Sequence, residues 1–277
     1  MASPATETPT TFMEFYNELW SLRDRRMDDW PLLSSPWPTI TLCAAYFYIS
    51  IGLGPTLMKD RPAFELKRTI QAYNIFQVVI SAYIMFEACA AGWFSSYNWI
   101  CQDVDRNPDP NSEGMRMARA SYLYFLTKFV EFADTFFFIA RKKFTHVSKL
   151  QLLHHGLMPI FSYMLVRWLP GGHETFGGTF NCLVHVLMYS YYFLASLGPH
   201  MQKYLWWKKY LTTFQMFQFV CVFSKSLVLI FGFAECGYPW QFSCVSAFFM
   251  FLFFCLFADF YSREYIAKAQ ARKNKVA

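Results

Sequence analysis

Ionisable side chains embedded in stretches apolar enough to cross a membrane constrain this chain more than any other feature. His154 and His155 lie in Gln151-Leu-Leu-His-His, His185 sits in an apolar run that begins at Asn181, and a third run carries Lys128, Glu131 and Asp134. A charged side chain at the centre of a lipid-facing helix costs about 3 kcal/mol even on the mildest insertion scales. Any fold that keeps these groups must turn them into a protein interior, where they mark a functional site by default.

The remaining sequence reads as a membrane protein. Only 16% of the 277 residues are charged, against about 25% in soluble domains, while 55% are hydrophobic and 21% aromatic. Seven apolar segments, at 38–57, 70–92, 117–139, 149–168, 175–197, 209–233 and 240–262, have the length of transmembrane helices. The expected fold is all-α, with seven transmembrane helices in one domain over 38–262. A polar segment, 1–37, precedes it and a basic tail, 263–277, follows. The first 37 residues hold no apolar core, so no cleaved signal peptide is expected. Pro55, Pro159 and Gly198-Pro199 are expected to kink or end helices, and 93–116, rich in Asp, Asn and Pro, reads as a loop.

Charge sets the expected orientation. Sixteen Lys and Arg residues fall in the loops and tail on one side of these segments and seven on the other. The positive-inside rule places the richer side, with the C-terminus, in the cytosol and the N-terminus in the lumen. This use of the +6 net charge, together with the absence of any nucleic-acid module, leaves no expected nucleic-acid partner. Six cysteines lie in or near apolar segments and read as buried hydrophobes. Cys101 and Cys236 instead lie in polar lumenal loops, where a disulfide between them is expected. Lys273 and Lys275, three and five residues from the carboxyl end, match the Lys-x-Lys-x-x retrieval pattern of endoplasmic reticulum membrane proteins.

The chemistry concentrates on helix faces. Lys128, Glu131 and Asp134 recur every three residues and read as one stripe, which a structural ion network would also explain. Gln151, His154 and His155 cluster at i, i+3 and i+4. Asn181, His185, Met188, Tyr189 and Tyr192 share a face of the fifth segment, and Gln215 and Gln218 stand three apart on the sixth. Interhelical hydrogen bonding accounts for glutamines and tyrosines in such places. Three inward polar faces together imply a cavity. Histidine boxes also hold di-iron centres, but those need about eight histidines, and this chain has six. Adjacent His154 and His155 point about 100° apart on a helix, so no metal site is expected. Acyl transfer fits better. Desolvation disfavours the charged form of imidazole, and the neutral form is a nucleophile, with a second imidazole free to act as acid, base or oxyanion donor.

Four ordered motifs carry a resemblance. Lys128-Phe-Val-Glu-Phe-Ala-Asp134-Thr, the box 151–155, Asn181-Cys-Leu-Val-His185 through Tyr192, and Thr212-Thr-Phe-Gln215-Met-Phe-Gln218-Phe resemble the signatures of the ELO family, the very-long-chain fatty-acid elongases of the endoplasmic reticulum. The similarity covers roughly residues 30–275. It implies condensation of a long-chain acyl-CoA with malonyl-CoA to 3-oxoacyl-CoA, CoA and carbon dioxide, without a further cofactor. It also implies seven transmembrane helices, six of them around an acyl tunnel closed at the lumenal end, and a histidine acyl-enzyme. His154 would take the acyl group, with His185, His155 and Asn181 assisting. Lys128, Glu131, Asp134, Gln151, Tyr189, Tyr192, Gln215 and Gln218 would support them, and Lys142, Lys143, Lys208 and Lys209 would meet CoA phosphates. Expected partners are both CoA esters, the bilayer, other enzymes of the elongation cycle and a second copy in a homo-oligomer. The family box usually begins with His, where this chain has Gln151. Two other readings remain: an inactive elongase-like scaffold, and a seven-span transporter or receptor with an internal ligand cavity. The orientation is open to a direct test. In sealed microsomes a C-terminal tag should be cut by added protease and an N-terminal tag protected; the reverse pattern would overturn the assignment.

Overall fold

The computed structural model describes residues 11–270, all of whose regular structure is helical. The retrieval pattern at Lys273 and Lys275 lies outside the described residues. A short helix, α1 (Phe12–Ser21), leads into seven helical rods that coincide with the seven apolar segments. The first rod is α2 (Trp37–Tyr48) and α3 (Gly54–Met58), joined by a π-helical turn, Ile49–Leu53. The second is α4 (Lys67–Ala88) with a π turn, Cys89–Trp93. The third is α5 (Glu113–Val130) followed by α6 (Phe132–Ala140). Then come α7 (Lys149–Trp168), α8 (Thr175–Ser196), α9 (Lys208–Ile230) and α10 (Trp240–Tyr261), the last extended by a π turn, Ser262–Ala267.

Two prolines do not end their helical rods. Pro55 does not end its rod, because the preceding π turn absorbs the missing N–H. Pro159 stays inside α7, where it removes the hydrogen bond that the His155 carbonyl would otherwise accept. Gly198 does end α8, at a φ of +129° that a side chain would resist. Residues 263–270, read above as the start of a tail, continue the last helix.

Four rods are long and apolar enough to cross a membrane: Trp37–Met58, Lys67–Trp93, Lys208–Ile230 and Trp240–Gln270. They expose Ile51, Leu57, Val79, Phe86, Phe217, Phe248 and Phe251, as helices against lipid would. The rods α5–α6, α7 and α8 are more polar because their polar faces are interior: Lys128, Glu131, His155, Arg167 and His185 are all buried. α4 packs along α8, and α9 along α10. Gly156 lets Phe47 of the first rod lie directly on α7, since a Cβ there would run into the ring.

One end of the bundle is tied together by ion pairs and a disulfide. Arg167, 1% exposed near the end of α7, donates to the Asp24 carbonyl and the Asp28 carboxylate, and lies over the Trp20 ring. Asp24 accepts in turn from Arg26 and Arg106, and the Trp168 indole donates to the Leu19 carbonyl. Burial opposes ionisation of Asp28, but Arg167 and Arg23 outweigh it and hold its carboxyl below the usual range. At the same end Cys101 and Cys236 form a disulfide across Cα atoms 5.9 Å apart, tying the loop before α5 to the loop before α10. Arg167, counted above among the loop charges that set topology, is thus a buried anchor for residues 19–28. Replacing Arg167 with Leu should lower the melting temperature of detergent-solubilised protein by about 5 °C. Arg23→Ala, which removes a partly exposed pair, should lower it by much less. Equal shifts would refute the anchoring role.

Candidate functional site

The buried pair Lys128–Glu131 sits at the centre of the site. Lys128, at the end of α5, reaches Glu131 across 2.7 Å, and both side chains are about 1% exposed. The same ammonium lies 3.3 Å from the Asn181 amide oxygen on α8 and 4.3 Å from the Tyr124 ring centre. Glu131 faces two histidines from two helices. Its Oε1 is 3.4 Å from His185 Nδ1 on α8, and its Oε2 is 3.9 Å from His155 Nδ1 on α7. Asn181 also accepts from the Tyr124 hydroxyl at 3.0 Å and donates to Gln218 of α9 at 3.5 Å.

His154 is placed differently. It meets His155 at right angles, 5.4 Å between ring centres, and packs against Phe253 of α10 at 4.8 Å. Its Nδ1 is buried and has no hydrogen-bond partner among the described residues. His154 borders a cavity lined from six helices, α4, α5, α7, α8, α9 and α10, whose interatomic space, mouth included, is about 870 Å³. The lining is mainly apolar, with Met117, Met158, Phe161, Phe219 and Met250 among its walls, and His154, Asn181 and Gln218 are among its polar members. An apolar cavity ending in a few convergent polar groups is what a small-molecule site requires.

The stripe expected of Lys128, Glu131 and Asp134 divides. Two steps of three residues turn about 600°, which leaves Asp134 roughly 120° from Lys128 around the helix. Asp134 accepts instead from the Tyr189 hydroxyl at 2.7 Å, within a second network that includes Tyr73 and Gln77 of α4. Gln151 is held by Thr135, to which its amide donates at 3.2 Å. Gln215 donates to the Met188 sulfur, and Tyr192 is 41% exposed, in edge contact with Tyr189. Lys142, Lys143, Lys208 and Lys209 lie at the end of the bundle away from the disulfide; Lys142 donates to the Lys59 carbonyl, Lys208 lies 3.9 Å from Glu264, and Lys209 lies over Tyr261.

A family model described as ELO: GNS1/SUR4 family matches residues 31–273. The chain belongs to the ELO family. It is similar to the very long chain fatty acid elongase 7 of Drosophila melanogaster, 44% identical over 258 residues that span 92% of this chain and 78% of that protein. It is also similar to the very long chain fatty acid elongase 4 of Mus musculus, 39% identical over 96% of this chain and 83% of the relative. A third relative, the very long chain fatty acid elongase 7 of Rattus norvegicus, is 39% identical over 91% and 89%. This ELO chain, with its apolar rods, is a multi-pass membrane protein. Sequence reasoning missed Tyr124 of the ELO site. It lies one helical turn before Lys128, and extending the period backwards from Lys128 would have found it.

The ELO ion pair has a measurable signature. Lys128→Met strands the Glu131 carboxylate in the interior and should cost about 3–5 kcal/mol. The double change Lys128→Met with Glu131→Gln removes both charges and should recover most of that loss in thermal unfolding. A double variant no more stable than the single one would show that the charge pair is not the cause.

Proposed function

We propose that this ELO protein catalyses the condensation of a long-chain acyl-CoA with malonyl-CoA, the first step of fatty-acid elongation. The observation that carries the reading is His154: a half-buried imidazole with an enclosed, unpaired Nδ1 that lines a mainly apolar cavity, which His155, whose Nδ1 is likewise unpaired, does not. A nucleophile at that place meets the thioester while the alkyl chain runs along apolar walls. The names of the relatives agree with this reading.

The steps balance without a further cofactor. The His154 imidazole attacks the acyl carbonyl, and the CoA thiolate leaves and takes up the proton lost from the ring, forming a neutral acyl-imidazole and free CoA; that proton equivalent returns to His154 from solvent when the acyl group is passed on. Malonyl-CoA loses carbon dioxide, and the resulting enolate carbon attacks the acyl carbon. The carbon–carbon bond forms, the bond to His154 breaks, and 3-oxoacyl-CoA departs. His185, with Nδ1 toward Glu131, presents Nε2 as acid, base or oxyanion donor. Glu131 orients both His155 and His185, and Lys128 and Asn181 hold Glu131 and the neighbouring polar groups in place. Asp134, Tyr189, Gln151, Gln215 and Gln218 support the helix faces, and Lys142, Lys143, Lys208 and Lys209 meet the CoA phosphates at the mouth.

The proposal places seven transmembrane helices in the endoplasmic reticulum membrane, with the cavity as an acyl tunnel closed toward the lumen and the C-terminus in the cytosol. Enzymes that reduce and dehydrate the 3-oxoacyl product would act beside it. Intact-protein mass spectrometry after incubation with acyl-CoA alone should reveal an acyl adduct, and His154→Ala should abolish both adduct and turnover. His185→Ala should slow elongation by about 10²–10⁴-fold, and Gln151→His should be tolerated. An adduct that survives in His154→Ala, or near wild-type elongation by that variant, would move the nucleophile elsewhere.

A further inference from the structure

The helices that line the cavity alternate in direction. α5, α8 and α10 start at the end that holds the disulfide and run away from it, while α7 and α9 run toward it. Counted toward the far end, the last lining residue of each is Tyr124 on α5, His154 on α7, Asn181 on α8, Gln218 on α9 and Phe253 on α10. Contacts tie these five into one belt. The Tyr124 hydroxyl donates to Asn181 at 3.0 Å, and Asn181 donates to Gln218 at 3.5 Å. Phe253 packs on His154 at 4.8 Å and on Phe219, the neighbour of Gln218, at 6.2 Å between ring centres. The imidazole and the two amides therefore share one end of the cavity.

Hydrogen bonding fixes which way both amides point. Lys128 carries only donors, so the Asn181 atom that faces it at 3.3 Å is the oxygen, which also accepts from Tyr124. The Asn181 nitrogen then faces Gln218, and only the Gln218 oxygen can receive its hydrogen. Gln218 is 3% exposed. Its Nε2 donates to no group among the described residues, yet it is not enclosed by protein. It opens on the cavity that the side chain lines. A chain of donors and acceptors thus runs from the Lys128 ammonium through two amides and ends in free N–H groups. Each bond in such a chain polarises the next.

We propose that Gln218 is a catalytic residue whose Nε2 donates to the oxyanion formed when His154 attacks the acyl thioester. The inference rests on condensation through a His154 acyl-enzyme. As the imidazole nitrogen bonds to the acyl carbon, the carbonyl π pair moves onto oxygen. It returns to the carbon–oxygen bond when CoA leaves as thiolate. The same oxygen becomes negative again when the malonyl-derived enolate attacks the acyl-imidazole. Gln218 donates a hydrogen bond in both steps and gives up no proton. The Lys128 ammonium is unsuited to that place, because it is held by Glu131 at 2.7 Å. A fixed donor aimed at developing negative charge in an apolar cavity stabilises the transition state without reorganising. Gln218 thereby does more than support a face of α9.

The test follows acylation alone. Purified full-length protein is mixed with saturating long-chain acyl-CoA, without malonyl-CoA, quenched at intervals, and its acyl adduct measured by intact-protein mass spectrometry. Gln218→Met keeps the side-chain length and removes the donor. It should slow adduct formation by about 10²–10³-fold. The same experiment is run with the dithioester of equal chain length, whose carbonyl oxygen is replaced by sulfur, a weak hydrogen-bond acceptor. Wild type should favour the oxygen ester over the dithioester by about 10²-fold more than Gln218→Met does. Near wild-type acylation in Gln218→Met, or equal slowing of both esters, would overturn the catalytic role and leave the His154 reading intact. Free imidazole with the same two esters supplies the intrinsic ratio. A wild-type ratio no larger than that would overturn the donor even if the variant fails to fold. No adduct in wild type, or one that survives in His154→Ala, would overturn the condensation reading and this inference with it.

Discussion

The contact between Lys128 and Glu131 is the one on which the arrangement of the site depends. A lone ammonium or a lone carboxylate in the middle of an apolar bundle is strongly unfavourable, so each dictates the place of the other. Their ion pair does not exhaust either group. Lys128 turns its remaining donors toward Asn181 and the Tyr124 ring, and Glu131 turns its two oxygens toward His185 and His155. Three helices, α5, α7 and α8, are thereby set in rotation relative to one another by one pair of charges. With the Nδ1 atoms of His155 and His185 facing the carboxylate, their Nε2 atoms point away from it. His154, on the next position of α7, is left facing the cavity without such a partner.

The two ends of the bundle follow different physics. At one end a network of arginines and aspartates, an indole hydrogen bond and a disulfide lock residues 19–28 and two loops onto the helix ends. Just inside it Glu174 accepts hydrogen bonds from Ser243 and Ser246. At the other end basic side chains stand at the surface with few partners, Lys142 on a carbonyl and Lys208 at the edge of Glu264's reach. The histidines stand between these ends.

Much of this was legible in the chain. Seven apolar segments located the seven rods to within a few residues except at the end of the last, because a helix that must satisfy its own backbone in an apolar medium leaves a long, uninterrupted signature. Polar residues within those segments pointed to the interior for the same reason, and Lys128, Glu131, His154, His155, Asn181 and His185 do converge there. Local rules failed where a neighbour decided the outcome. Asp134 follows Tyr189 rather than Glu131, and Arg167 is buried instead of lying in a loop.

By itself, then, the sequence determined which segments are helical, which of their residues cannot face lipid, and, through four ordered motifs, the family. These depend on composition and periodicity along the chain, which are local properties. Only the tertiary structure decided which imidazole borders the cavity, that Glu131 meets two histidines at once, and that Glu174 from a short loop meets two serines of α10. Those relations join residues 24 to 72 positions apart, and they follow from the rotation and depth of packed helices, which no spacing along one chain encodes.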